Sequence, residues 1–281
     1  MYILLIIATI LFSSQFLLNQ RFAKSKGDGL DAVLTFSAYS QIISFFVMII
    51  LNRFALRITP FSLAMGLCYT LVSILYSYFG LKSLTRANLS VYSIFAMLGG
   101  MILPSAVGIV FFDESVTVAK IVCCVLIAIA LALTFEKDEG KSKTYLLYLA
   151  VFILNGMSAV ISKVHQSFPD MCTDSYSFVA IGNMCCFVAS FLWYVLRFRS
   201  LPKVNLPQLG YTGGYAISSG VANLLTLIAL TVLPASVQYP VITGGVIFFS
   251  TIVSAILGQK IGKKTIISAI IAFAATVAII L

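Results

Sequence analysis

The chain has 281 residues, 60% of them hydrophobic and only 10% charged, and its mean hydropathy is +1.06. Soluble domains carry about 25% charged residues, so this composition excludes an ordinary water-soluble globule. The formal charge of +9 sits in short clusters between apolar runs. No basic face or soluble domain is left to hold a nucleic acid, and basic loops on a membrane protein account for the charge.

A helix that crosses a bilayer needs about 20 mostly apolar residues, and ten such runs fit the chain. In order, the predicted helices are Ile3–Gln20, Val33–Leu51, Phe61–Leu81, Leu89–Phe112 and Val118–Phe135, then Tyr145–Ser162, Tyr176–Leu196, Tyr211–Leu233, Val237–Leu257 and Thr265–Leu281. The charged stretch Glu136–Thr144 is the seam between the two groups of five. No basic segment precedes the first run and no small-residue cleavage site follows it, so it reads as a mature helix and not a signal peptide. Strands are disfavoured, because an open sheet edge cannot be satisfied in lipid. A transmembrane barrel needs short alternating segments instead of continuous runs.

Of the six cysteines, Cys68, Cys123, Cys124, Cys185 and Cys186 lie inside apolar runs, and Cys172 lies in a loop. Adjacent residues on a helix point about 100° apart, so these pairs suit neither a metal site nor a disulfide framework. They read as small hydrophobes. All nine acidic residues fall in loops or at run ends. The odd-numbered loops hold 14 Lys and Arg and the even-numbered loops 4. Cytoplasmic loops are the basic ones, so the charges put both termini outside the cytoplasm.

The two groups of five share a design. Ser90–Leu133 is an apolar run with Gly99, Gly100 and Pro104, a break at Asp113-Glu114-Ser115, and a second apolar run. Ser236–Leu281 repeats it, with Gly244 and Gly245 and a break at Gln259-Lys260. Aligning the glycine pairs sets Glu114 opposite Gln259. Ser13-Ser14-Gln15 of the first helix likewise matches Gly156-Met157-Ser158 of the sixth. Five is odd, so the second half must enter the membrane upside down. The expected fold is therefore an all-α integral membrane protein of ten transmembrane helices. It is arranged as two inverted five-helix repeats, residues 1–138 and 139–281.

The stretch Phe111-Phe112-Asp113-Glu114-Ser115-Val116-Thr117, with the apolar helix after it, resembles the drug/metabolite transporter superfamily, specifically its ten-helix EamA-like carriers. The stretch Leu230-Thr231-Val232-Leu233-Pro234-Ala235-Ser236, followed by Pro240 and Gly258-Gln259, carries the same resemblance in the second half. Asp113 stands where the family usually has Gly, and Gln259 where the second half usually has Glu. The resemblance implies a small-molecule carrier that works by alternating access, with its cavity between the halves. It also implies cytoplasmic termini, against the charge count.

Polar groups at mid-membrane are expensive and mark pathways or helix contacts. The candidates for substrate binding are Gln15, Tyr69, Ser73, Tyr76, Tyr92, Asn155, Ser158, Asn223, Gln238 and Tyr239. They predict a neutral, amide- and hydroxyl-lined pocket with a tyrosine wall, among the first, third, fourth, sixth, eighth and ninth helices. Interhelical hydrogen bonding is the competing use for each. Gly99, Gly100, Pro104, Glu114, Gly244 and Gly245 are the candidates for gating or hinge positions. The lone histidine, His165, reads as a loop residue. No acidic residue lies at mid-membrane, which speaks against exchange of a proton for an organic cation. An aromatic cage for a quaternary ammonium remains open.

No phosphate loop, zinc spacing or nucleophile elbow is present. The expectation is no enzyme, no metal and no cofactor. The reading is a secondary carrier of a small polar or amphipathic metabolite in a bacterial inner membrane. Its partners are that substrate and the lipid bilayer, not nucleic acid. The chain holds both halves of the repeat, so a monomer suffices and a homodimer is not required. The alternatives are a flippase for a lipid-linked intermediate and a non-transporting membrane scaffold or regulatory subunit.

Overall fold

The computed structural model describes residues 2–86, 89–112, 118, 122, 125–126, 129, 133, 142–230, 235–259 and 261–278. Among these residues the chain forms nine helices and no strand. They are α1 Tyr2–Lys26, α2 Leu30–Leu51, α3 Pro60–Arg86, α4 Leu89–Phe111, α5 Ser142–Gln166, α6 Ser175–Phe198, α7 Leu206–Leu230, α8 Ala235–Ile256 and α9 Lys263–Ala278. Most of the predicted helix Val118–Phe135 lies outside the described residues, as do Asp113, Glu114 and most of the charged linker. Helices α1 to α6 are each long and apolar enough to cross a bilayer. The chain is an all-helical integral membrane protein.

The helices overrun the apolar runs at several ends, and local chemistry sets where they begin. Thr59 caps α3, its Oγ1 accepting from Ser62 N at 3.1 Å, and Pro60 takes the first position, where a missing N–H costs nothing. Asp174 caps α6, accepting from Ser177 N at 2.9 Å. Asn205 and Gln208 form a reciprocal capping box at α7: Gln208 N donates to Asn205 Oδ1 at 2.9 Å, and Asn205 N to Gln208 Oε1 at 3.2 Å. Gly27, at φ +93°, ends α1 in a conformation that side chains rarely adopt.

Helix α3 shows the solvent for which the fold is built. Leu63, Leu67, Leu71 and Leu75 make an exposed stripe at every fourth residue, while Ser62, Gly66, Thr70, Ser73 and Ser77 face inward. Water would demand the opposite pattern. In lipid, small residues belong at helix contacts because they let backbones approach.

Helix α1 packs mainly on α7 and α8, α2 on α6 and α7, α3 on α5 and α6, α4 on α5 and α8, and α9 on α8. The crossing of α4 and α5 is tight: a Cβ on Gly156 would lie 2.7 Å from Gly99 O, and one on Gly99 would strike the Phe152 backbone. Loop contacts define two ends. At one end Lys26 Nζ donates to Lys203 O, Gln208 Nε2 to Ser25 Oγ, and Gln259 Nε2 to Gln20 Oε1. At the other, Asn52 Nδ2 reaches Ser177 Oγ and Thr173 N donates to Ser62 Oγ. The first end carries Arg21, Lys24, Arg86, Arg197, Arg199 and Lys203 among others; the second carries Arg53, Arg57 and Lys163.

Candidate functional site

Two polar clusters lie within the bundle, and they differ in what their polar atoms do. The first joins α4 to α8. Ser90 Oγ and Thr251 Oγ1 are 2.7 Å apart, Ser93 Oγ bonds Ser250 Oγ, and Ser254 Oγ accepts from Ser90 N at 3.1 Å. Ser90, Ser93, Ser250 and Ser254 have no exposed surface. This zipper is dry and internally satisfied.

The second is a small, partly open pocket at the junction of α2, α3, α6 and α7. Helix α2 contributes Gln41, Ser44 and Met48, and α3 contributes Tyr69. Helix α6 contributes Val179 and Asn183, and α7 contributes Tyr215, Ser219, Gly220 and Asn223. The wall holds three carboxamides and two tyrosines, and no Asp, Glu, Lys, Arg or His. Asn183 lies about two turns into α6, so the pocket is nearer the less basic end.

Its polar atoms are largely unspent. Asn223 Nδ2 donates to Ser219 O at 2.8 Å, and Gln41 Nε2 lies 3.5 Å from Ser73 Oγ. Among the described residues no side-chain hydrogen bond holds Asn183, Ser44, Tyr69 or Tyr215. These groups are collected on one cavity wall, free to bond whatever enters it.

Beneath the pocket, towards the basic end, Tyr92 donates to the Tyr76 hydroxyl at 2.8 Å. Tyr92 belongs to a buried cluster against which both Tyr76 and Tyr215 pack. Tyr215 packs edge-on against Phe36 with centroids 4.9 Å apart, and Phe36 against Phe22 at 5.0 Å. These rings, with Leu81 and Leu84, form a hydrophobic floor.

Of the residues expected to bind substrate, Tyr69 and Asn223 line the pocket. Ser73 sits behind Gln41, and Tyr76 and Tyr92 lie in the floor. Gln15 is buried with its Oε1 unpartnered, but it is not in the pocket wall. Asn155 is spent elsewhere: its Nδ2 donates to Ala96 O at 2.6 Å and locks α5 to α4. Ser158 donates to Leu154 O of its own helix at 3.1 Å. Gln238 and Tyr239 belong to α8, but their side chains are outside the described residues. Gln41, Ser44, Asn183 and Tyr215 were not among the sequence candidates. The signal for Gln41 and Asn183 was an amide in mid-run, the same one that marked Gln15 and Asn223.

Among the gating candidates, Gly99 and Gly100 sit in the tight α4–α5 contact, where a Cβ on Gly100 would lie 2.8 Å from Asn155 Nδ2. Gly245 faces Thr9 of α1, at 2.5 Å for an added Cβ, and its neighbour Gly244 is buried on α8. Pro104 is inside α4, and its carbonyl accepts from Lys163 Nζ at 3.2 Å. Glu114 lies outside the described residues.

His165 is not in a loop. It occupies the last turn of α5 and is buried, stacked 3.8 Å from Phe178 with Phe61 on its other side. Its Nε2 bonds Ser62 Oγ at 2.8 Å. That oxygen also receives Thr173 N and Thr173 Oγ1, each at 3.1 Å. Ser62 is fully buried, and the pair joins the α3 start to the α5–α6 connection.

No protein-family model matches the chain, and no curated protein matches it. Among solved structures, 23 chains match. One, described as "Crystal structure of protein", is 17% identical with a TM-score of 0.57, and the match covers 96% of this chain and 95% of that one. This likeness shows a fold shared over nearly the whole length. Fold and site together define an all-helical membrane protein with an uncharged polar pocket between its helices.

Proposed function

We propose that the chain is a ten-helix secondary carrier for a small polar metabolite, similar to the EamA-like carriers of the drug/metabolite transporter superfamily. The observation that carries this reading is the pocket, where unspent polar groups meet at the junction of α2 and α3 with α6 and α7. Substrate would bind there, and rocking of two halves would expose it to alternate sides.

The packing supports two inverted repeats. Let α1 correspond to α5, α2 to α6, α3 to α7 and α4 to α8. The α1–α7 contact then has its counterpart in α5–α3, α2–α7 in α6–α3, and α1–α8 in α5–α4. The α2–α6 and α4–α8 contacts map onto themselves. The glycine pairs agree, since Gly100 of α4 meets α5 and Gly245 of α8 meets α1. The predicted helix Val118–Phe135 would be the counterpart of α9. Positive charge collects at the end that carries Arg21, Arg86 and Arg197. That end would be cytoplasmic, which leaves the pocket nearer the outer face. The inner membrane of a bacterium fits the short loops.

The pocket supports this reading over its rivals. A flippase for lipid-linked intermediates needs basic residues at the mouth, and none lines the wall. A scaffold needs a dry, packed interface between the halves. The test is accessibility from both sides. In a background free of the six native cysteines, Ser44→Cys is expected to react with a membrane-impermeant thiol reagent applied to either face of the membrane. Reaction from one face alone contradicts alternating access.

A further inference from the structure

We infer that the pocket takes an uncharged, polyhydroxylated ring of about the size of a single sugar. The inference rests on the carrier reading for the site and adds the class of ligand. It combines four properties of the wall.

The first is charge. None of the lining residues is an acid, a strong base or a histidine, and tyrosine is neutral below a pH of about 10. A charged ligand would leave water without a counter-charge, at a cost of several kcal/mol per ion. Amino acids, amines and phosphorylated metabolites are therefore disfavoured.

The second is hydrogen-bond grammar. A carboxamide offers donors and an acceptor side by side, and a hydroxyl offers both on one atom. Asn183 and Ser44 line the wall without a side-chain hydrogen bond among the described residues, Asn223 still has its oxygen, and Tyr69 and Tyr215 add hydroxyls. A run of ring hydroxyls, each both donor and acceptor, can satisfy such a wall. An apolar ligand would strand it, and burying these groups unpaired would oppose binding.

The third is the pair of tyrosine rings. Tyr69 on α3 and Tyr215 on α7 reach the same cavity from different halves of the proposed repeat. An aromatic ring on a cavity wall can pack against the C–H side of a sugar-like ring and leave its hydroxyl edge to the amides. Met48 and Val179 add apolar wall. The fourth is size. The lining runs from Gln41 to Met48 on α2 and from Tyr215 to Asn223 on α7, about two helical turns or roughly 11 Å. One ring with its substituents fills that height.

The experiment uses the purified full chain in detergent, with thermal stability and titration calorimetry as readouts. The probes are glucose, ribose and myo-inositol, with glucosamine and glucuronate as charged partners of matched size. At least one uncharged probe is expected to stabilise the protein saturably, and the two charged partners to bind at least tenfold more weakly. Asn183→Ala and Asn223→Ala should each weaken the uncharged probe tenfold or more, and Asn183→Ser serves if the alanine variant is not recovered folded. Asn183→Asp should move the preference towards glucosamine.

Equal or tighter binding of a charged partner overturns the inference, as does the absence of binding by all three uncharged probes. Uncharged binding that both asparagine substitutions leave unchanged also overturns it. The two readings fail separately. Charged binding that depends on Asn183, with Ser44→Cys reactive from both faces, removes the ligand class and leaves the carrier. Uncharged binding with Ser44→Cys reactive from one face only removes the carrier and leaves the ligand class.

Discussion

The α4–α8 zipper and the α2–α3–α6–α7 pocket are built from similar chemistry. Each places several polar side chains deep in an apolar bundle. In the zipper, Ser90 meets Thr251 and Ser93 meets Ser250, so every listener has a speaker within the protein. In the pocket, Asn183 and Ser44 face a cavity with no partner among the described residues. Polarity at mid-membrane is common to structure and function. Whether the polar atoms are already satisfied is what separates the two.

Several substitutions sharpen that contrast. The largest effect is expected on the dry side, at Gly99→Leu. The new side chain would drive into the Phe152 backbone and part α4 from α5, with a loss of ~3 kcal/mol, the upper end for overpacking. The check is the yield of monodisperse protein in detergent, and wild-type yield would mean that the crossing is looser than described. Next is Asn155→Ala. It removes the bond to Ala96 O and should cost up to about 1.7 kcal/mol while leaving ligand affinity unchanged in titration. A weakened ligand with intact stability would return Asn155 to the binding site. Smaller still is Ser93→Ala, which breaks one link of the zipper and should cost about 0.6 kcal/mol, read by chemical denaturation in mixed micelles. Thr251→Ala in the same background should then cost less than it does alone if the zipper acts as a unit.

Much of the fold was legible because lipid enforces it. The run of apolar residues from Leu89 ends at Phe112, and α4 ends at Phe111, since in lipid a continuous apolar run must satisfy its backbone within a helix. Ends were less legible where capping decides them. The Asn205-to-Gln208 box starts α7 at Leu206, five residues before the apolar run begins at Tyr211. The site was only half legible. Asn155 and Asn183 are the same residue type at similar depth, yet one is turned to a backbone carbonyl and the other to a cavity. That difference depends on how helices rotate against each other, which no spacing within one helix records. Gln41 carried the same signal as Gln15, but a cavity placed among other helices passed it over. His165 looked like a loop residue because Lys163 beside it ended the apolar run. The turn continues past that charge because Phe61 and Phe178 enclose the ring.

The most direct test of the contrast needs no ligand. Asn183→Leu and Ser93→Ala are compared by thermal unfolding of the purified protein under identical conditions. If the pocket amide is unspent, Asn183→Leu keeps the melting temperature of the wild type or raises it, because no bond within the protein is lost and an apolar group of similar size takes its place. Ser93→Ala lowers it by roughly 2 °C, because a satisfied bond has been broken. A fall for Asn183→Leu as large as that for Ser93→Ala would show that Asn183 already has a partner within the fold, and the pocket would be one more structural contact.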